Sequence, residues 1–378
     1  MKRTQIMRII TFLITSGLIL LVLYYVIQQK FELQRKEIKI GVIASLTGLG
    51  SYMGEQQMKG IRLALDNINT HGGINGSKLS IVVEDSMSDS KGVIAAAQKL
   101  IDIEKTHYIL GDSWNSTTAT LVPLTNKKKI ITISPVTSLD SLDADDYFFR
   151  TISPSRDMMD AIAQYAAQKM NLKKVAIIRV DTSYNVENAR DFTDSFVKYG
   201  GSIVIDEKFS PNVTDYRSHL LKIKKTMPEA ILNLHAPGPV YGILLQQAKE
   251  IDLNVRWLGH MSAENGEFLK VYAPLAEGLV YPYPYNSSDQ YTQGFVREVQ
   301  KQYYTSPDFV IANAYDATML MADAIKNAGD NTDVAKKYLL SISDYQGVSG
   351  KLSFDANGNA KRSIIIKTIK EGKFIITE

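Results

Sequence analysis

Residues 38–69, IKIGVIASLTGLGSYMGEQQMKGIRLALDNIN, constrain the fold more than any other stretch. IKIGVIA is a short apolar run rich in β-branched residues, the pattern of a strand buried on both faces of a parallel sheet. SLTGLGSYMG follows, a turn dense in Gly and Ser. Met58, Ile61, Leu65 and Ile68 then recur at helical spacing, with Lys59, Arg62 and Asp66 between them. Strand, glycine loop and helix in that order predict the first βα unit of a doubly wound α/β fold. Ligands of such folds sit at the carboxyl ends of the strands, where SLTGLGSYMG lies.

Gly48, Gly50 and Gly54 read G-x-G-x-x-x-G, a near relative of the dinucleotide fingerprint, and Glu84 and Asp85 end a second strand. An NAD(P)-dependent oxidoreductase is the reading those glycines support alone. Against it, the spacing is one residue too long, and Ser45, Leu46 and Thr47 separate the strand from the first glycine.

A chain of 378 residues suits two domains. Its formal charge of +3 comes from dispersed basic residues, with no stripe for nucleic acid. Cysteine is absent, which excludes disulfides, thiolate metal sites, a Cys nucleophile and a lipid-modified cysteine. Residues 9–27, IITFLITSGLILLVLYYVI, carry no charge and no Pro, and about 20 residues of helix span a bilayer core. Lys2, Arg3 and Arg8 in 1–8 place that end in the cytoplasm and export the remainder. An uncleaved transmembrane anchor is the expectation, with a cleaved signal peptide as the alternative. Residues 28–37 form a polar spacer.

Beyond the spacer, strand and helix patterns alternate in two series. The first runs through Leu79–Glu84, His107–Leu110 and Ile130–Ile133, and YFFRTIS at 147–153 reads as a connection. The second runs through Lys174–Arg179, Ser202–Phe209, Ala230–Leu234 and Val255–Leu258. PYPYN at 282–286 reads as a second crossing, and the chain ends in a β meander with an Asn-Gly turn.

From Ile38 onward the chain resembles the type I periplasmic binding proteins, specifically the leucine/isoleucine/valine-binding family of ABC transporter receptors. The stretches that carry the resemblance are the GxxxGxxLALDxIN helix, GGINGSKL, EDSMSD, YILGDSWNSTTA, ITISPVTS, VAIIRVDTSYN and GVSGKLSFDANGN. The resemblance implies two Rossmann-like lobes joined by a three-strand hinge and closing on a ligand. Lobe 1 is expected at 38–152 with 285–347, and lobe 2 at 153–284 with 348–378.

The best physical case for a site is GDSWNSTTAT at 111–120. A strand ends, and Ser113, Asn115 and Ser116 crowd the start of a helix, where free N–H groups and the helix dipole suit a carboxylate. The plainer reading is an N-cap by Asn115 or Ser116. In the resembling family this position holds the ligand's α-carboxylate. The resemblance further points the Val136 backbone and the Thr137 and Ser138 hydroxyls at the ligand's amino group, where a simple turn is the plainer reading. It makes Tyr184 an aromatic closing from lobe 2, and Tyr52 and Met53 a lid in the first glycine loop. For these the plainer readings are half-buried packing and a surface tyrosine. Met261 stands where the amino-acid binders carry an acid for the ammonium. Glu264, three residues on, is the candidate replacement. If it does not reach, a carboxylate, an amide such as urea or an aromatic acid becomes the expected ligand.

The five histidines form no H-x-x-x-H or H-E-x-x-H, and no G-x-S-x-G elbow or P-loop is present. His235 and His260 both follow lobe-2 strands and approach the cleft, but two histidines without a third ligand do not make a metal site. No catalytic residue, metal or cofactor is expected. The expectation is a non-enzymatic, extracytoplasmic solute-binding protein of an ABC importer, held at the membrane and partnered by a permease. A ligand-sensing module for a receptor or kinase is the alternative.

Overall fold

The structure, a computed structural model, describes residues 16–17, 21–24, 37–142, 146–234 and 239–377. The segments expected as a cytoplasmic end (1–8), most of the expected anchor (9–27) and nearly all of the expected spacer (28–37) lie outside these. Residues 16–17 and 21–24 are helical, and among the described residues no helix is long and apolar enough to cross a membrane.

Five parallel strands build the first sheet: β1 (Ile38–Ala44), β2 (Leu79–Asp85), β3 (Tyr108–Leu110), β4 (Ile131–Ser134) and β5 (Phe148–Arg150). Their order is β2-β1-β3-β4-β5, with the switch point beside β1. Period-2 alternation divides the apolar side chains between two helical layers. Ile43 and Ile109 pack with Val93 and Ala97 of α2 (Ser90–Gln98) and Leu121 of α3 (Asn115–Lys127). Ile40, Val42 and Leu110 pack on the other face, under α1 (Ser51–Thr70). YFFRTIS is more than a connection. Phe148–Arg150 pairs in parallel with Thr132–Ser134 and is buried throughout.

The second sheet takes β6 (Lys174–Val180), β7 (Ser202–Phe209), β8 (Ala230–Leu234), β9 (Arg256–Gly259) and β10 (Val280–Tyr283). Its layers are α4 (Ser155–Gln164) and α5 (Ser183–Lys198) on one face, and α6 (Arg217–Lys225) and α7 (Pro239–Glu250) on the other. Helix α8 (Gly266–Ala276) precedes β10, after which the chain returns to the first lobe and forms α9 (Gln293–Tyr303) and α10 (Phe309–Ala328). Helix α10 lies against α1 so closely that a Cβ on Gly60 stands 2.3 Å from Ile311 O.

Helix α11 (Thr332–Leu340) leads into a small antiparallel sheet of β11 (Tyr345–Gly347), β12 (Gly350–Phe354) and β13 (Ala360–Lys361). Leu352, Phe354 and Ala360 pack into the core of the first lobe. The chain joins the second sheet only at β14 (Ile365–Lys370), antiparallel to β10, and β15 (Lys373–Ile376) completes the edge. The crossings are tied together by two arginines, Arg150 buried and Arg362 half-buried. Arg362 donates to Thr151 O at 2.7 Å and to Ser349 O at 2.9 Å, while Asp316 accepts from Val348 N and Ser349 N at 2.9 Å each. Arg150 donates to Asn359 Oδ1 and Leu139 O at 2.7 Å each. Burial lowers the Arg362 guanidinium to about 10, which leaves it charged at neutral pH.

Candidate functional site: the cleft between the lobes

The glycines of the first loop are explained by close backbone approaches. Gly48 has φ +81°, and a Cβ there stands 2.6 Å from Met87 O. On Gly54 it stands 2.1 Å from Ser45 O, where α1 presses on the end of β1. Asp85 gathers the loop by accepting from Leu46 N at 2.9 Å and Thr47 Oγ1 at 2.7 Å. Packing of this kind needs no dinucleotide phosphate.

The start of α3 has no side-chain cap. Trp114 occupies the N-cap position in extended conformation, and neither Asn115 nor Ser116 caps the helix. Thr117 and Thr118 turn their hydroxyls back onto Trp114 O, at 2.9 and 2.8 Å. The first N–H groups of α3 therefore keep their donors for another acceptor. Ser113 is buried beneath, its hydroxyl accepting from Ser45 N at 2.8 Å. Asn115 is half-buried and accepts from Ser138 N at 3.3 Å through Oδ1, while Ser116 is exposed. The polar ends of β3 and β4 are thus joined.

The 134–138 turn is organised by Ser134, whose Oγ accepts from Val136 N at 3.4 Å and Thr137 N at 3.1 Å. Thr137 Oγ1 is buried without a partner. Ser138 reaches across to the second lobe. Its hydroxyl lies 2.9 Å from Tyr184 OH, which also bonds Ser155 Oγ at 3.3 Å and His260 Nε2 at 3.0 Å. Ser262 N donates to His260 Nδ1 at 3.4 Å, so the imidazole proton is on Nε2 and points at the tyrosine. Burial lowers His260 to about 4 and raises Tyr184, which keeps both neutral at physiological pH.

Tyr52 is exposed at the ring and donates from its hydroxyl to Asp308 Oδ2 at 3.2 Å. Met53 packs beside it against the core. Met261 is buried in the second-lobe core. Glu264 accepts from Tyr281 OH at 2.8 Å and from Lys367 Nζ at 2.7 Å, so both of its oxygens have partners within lobe 2. His235 lies outside the described residues, and no three His, Asp or Glu side chains among the described residues are placed to hold a metal.

Ser113, Asn115, Val136, Thr137, Ser138 and Tyr184 therefore come together, with Met261 following His260 on the far wall. Tyr52 turns to Asp308 and Met53 to the core, and Ser116 is exposed, so none of these three joins that set. Sequence reasoning missed Ser155 and the acidic group around Asp140. Ser155 opens a helix immediately after Pro154, a start signal that reads as structural rather than as a site.

Residues 37–373 match the periplasmic binding protein family. The Leu/Ile/Val-binding protein of Citrobacter freundii is 25% identical over 86% of this chain and 89% of its own length. Among solved structures, the branched-chain amino acid transporter substrate-binding protein LivJ of Streptococcus pneumoniae, in complex with isoleucine, superposes with a TM-score of 0.79. It is 27% identical, covering 90% of this chain and 99% of that one. An ABC transporter solute-binding protein of R. palustris in complex with benzoate gives 0.78 at 20% identity, covering 90% and 95%. With two wound lobes, three crossings and a match running nearly the whole described length, the chain belongs to the periplasmic binding protein family, in its type I fold.

Proposed function

We propose that this protein is the extracytoplasmic solute receptor of an ABC importer, closing its lobes on a small carboxylate that carries no free ammonium. The observation that carries the reading is the uncapped start of α3, which meets the Ser138–Tyr184 bridge across the cleft. Open N–H groups at a helix start suit a carboxylate. Among the described residues that follow β9, the opposite wall offers no free anion. Met261 is apolar, His260 is neutral, and Glu264 is held by Lys367. An ammonium left unpaired in a closed cleft costs several kcal/mol. The chain would act at the exported face of the membrane, with residues 9–27 as anchor or signal and a permease as partner. The bound ligand supplies the free energy that shifts the open–closed population.

A branched-chain amino acid is the second reading. The isoleucine complex of the pneumococcal relative favours it.

A thermal-shift screen of the full-length protein separates the two. The panel holds benzoate, 4-hydroxybenzoate, short aliphatic carboxylates, urea, leucine, isoleucine, valine and NAD(P). A binder at hundredfold excess over Kd stabilises by about 2.7 kcal/mol. Shifts with carboxylates that lack an ammonium are expected. A shift confined to the amino acids transfers the conclusion to the second reading, and one with NAD(P) alone overturns both.

A further inference from the structure

A second set of contacts crosses the cleft near Tyr184, and it is acidic. Asp140 sits in a short turn, Asp140–Leu142, on the first lobe. Its backbone N–H donates to Glu187 Oε2 on α5 of the second lobe at 3.1 Å. Asp191, one helical turn further along α5, brings its carboxyl within hydrogen-bonding reach of the Asp140 carboxyl. Both side chains are nearly out of water, at 7% exposure for Asp140 and 9% for Asp191. Asp191 Oδ1 accepts from Arg190, but Oδ2 is buried with no donor. Two carboxylates in this position repel each other strongly when ionised, and a proton on Asp140 supplies the donor that Asp191 Oδ2 lacks.

Among the described residues, the charged groups facing the pair are few. Arg156 on α4 contacts Asp140 Oδ1 at 3.3 Å, and Arg150 on β5 acts on it from further off. Arg190 and Glu187 face it from α5. Burial first, and Asp191 second, push Asp140 up to about 8, with Arg156 and Arg150 pulling the other way.

Because the two carboxyls stand on different lobes, opening the cleft separates them and returns each to water. We propose that closing the lobes takes up one proton between Asp140 and Asp191, so that the closed, solute-holding form weakens as the pH rises. This rests on the clamp reading above, but it does not depend on which solute is bound. A group whose acidity falls on closure favours the closed form below its open-state value, and that advantage disappears as the pH rises through the closed-state value. His260 works in the opposite sense. Buried neutral in the closed cleft, it opposes closure as the pH falls from its ordinary value near 6.5 toward about 4. The acid pair is therefore unopposed between pH 6.5 and 8, where the closed-to-open ratio falls by up to tenfold per pH unit.

The absence of cysteine makes the test direct. Lys91→Cys on the first lobe and Glu267→Cys on the second, both exposed, accept a pair of spin labels whose separation reports closure in the full chain without ligand. The short-distance population is expected to fall between pH 6.5 and 8. In Asp191→Asn, whose carboxamide donates the missing hydrogen bond, it is expected to be flat over that range, and Asp140→Asn is the second variant. A wild-type distance that does not move with pH, an open cleft at every pH, or an unchanged profile in both variants overturns the proposal. The carboxylate screen reports on the solute independently. A silent screen with a moving distance removes the ligand reading and leaves proton coupling standing, and the reverse outcome does the opposite.

Discussion

Tyr184 is the residue on which the cleft converges. Its hydroxyl touches Ser138 from one lobe and Ser155 and His260 on the other side. Tyr184→Phe removes one neutral hydrogen-bonding hub, and we expect ligand binding to weaken by about 1 kcal/mol, roughly fivefold, by calorimetry. An unchanged affinity would show that the bridge is broken when ligand enters. The legibility of this site in the sequence was uneven for a physical reason. Ser138, Asn115 and Tyr184 each lie just past a strand end in a polar run, and local pattern alone marks such positions. Glu264 lies in the same kind of run, yet its role is set by Lys367 on β14 and Tyr281 on β10. Those partners are remote in sequence, so no local signal shows that its carboxylate is already held. Asp140 is hidden for the same reason, since nothing in SLDSL indicates that α5 arrives opposite it.

At the scale of elements, long periodic segments were easy to read and short ones were not. Helices α1 and α10 carry unbroken apolar stripes, and both form. Strand β5 has three residues and no alternation, and it exists because β4 offers it a parallel edge. The tightness of the α1–α10 contact is likewise absent from the periodicity, although Gly60 marks it. Gly60→Leu drives a side chain into the Ile311 carbonyl. Overpacking of this kind costs about 1–3 kcal/mol, so we expect a lower melting temperature and denaturant midpoint. A melting curve matching wild type would mean that the helices can slide apart at no cost.

The molecule as a whole depends on how its three crossings are held. The βα alternation announces two lobes, but the strand orders and the small β11–β13 sheet at the hinge come from long-range pairing that the sequence pattern does not encode. Buried Asp316 and half-buried Arg362 lie in that hinge, joined through Ser349. Asp316→Ala leaves the guanidinium buried without its counter-charge, and we expect destabilisation of about 3–5 kcal/mol in chemical unfolding. A loss below about 1 kcal/mol would mean that the crossings are held by backbone pairing alone.

The packing of α10 on α1 also sets an order of events during synthesis. The sheet of the first lobe is complete at Arg150, but the helix that covers α1 begins only at Phe309. Until the ribosome has delivered that helix, the apolar stripe of α1 has no permanent cover, and the whole second sheet up to β10 is made in the interval. The first lobe to be translated therefore cannot finish folding until most of the second has been made. Lobe 1 stays incomplete while most of the chain is still being made, the condition under which a chaperone or a secretion channel can engage a nascent polypeptide.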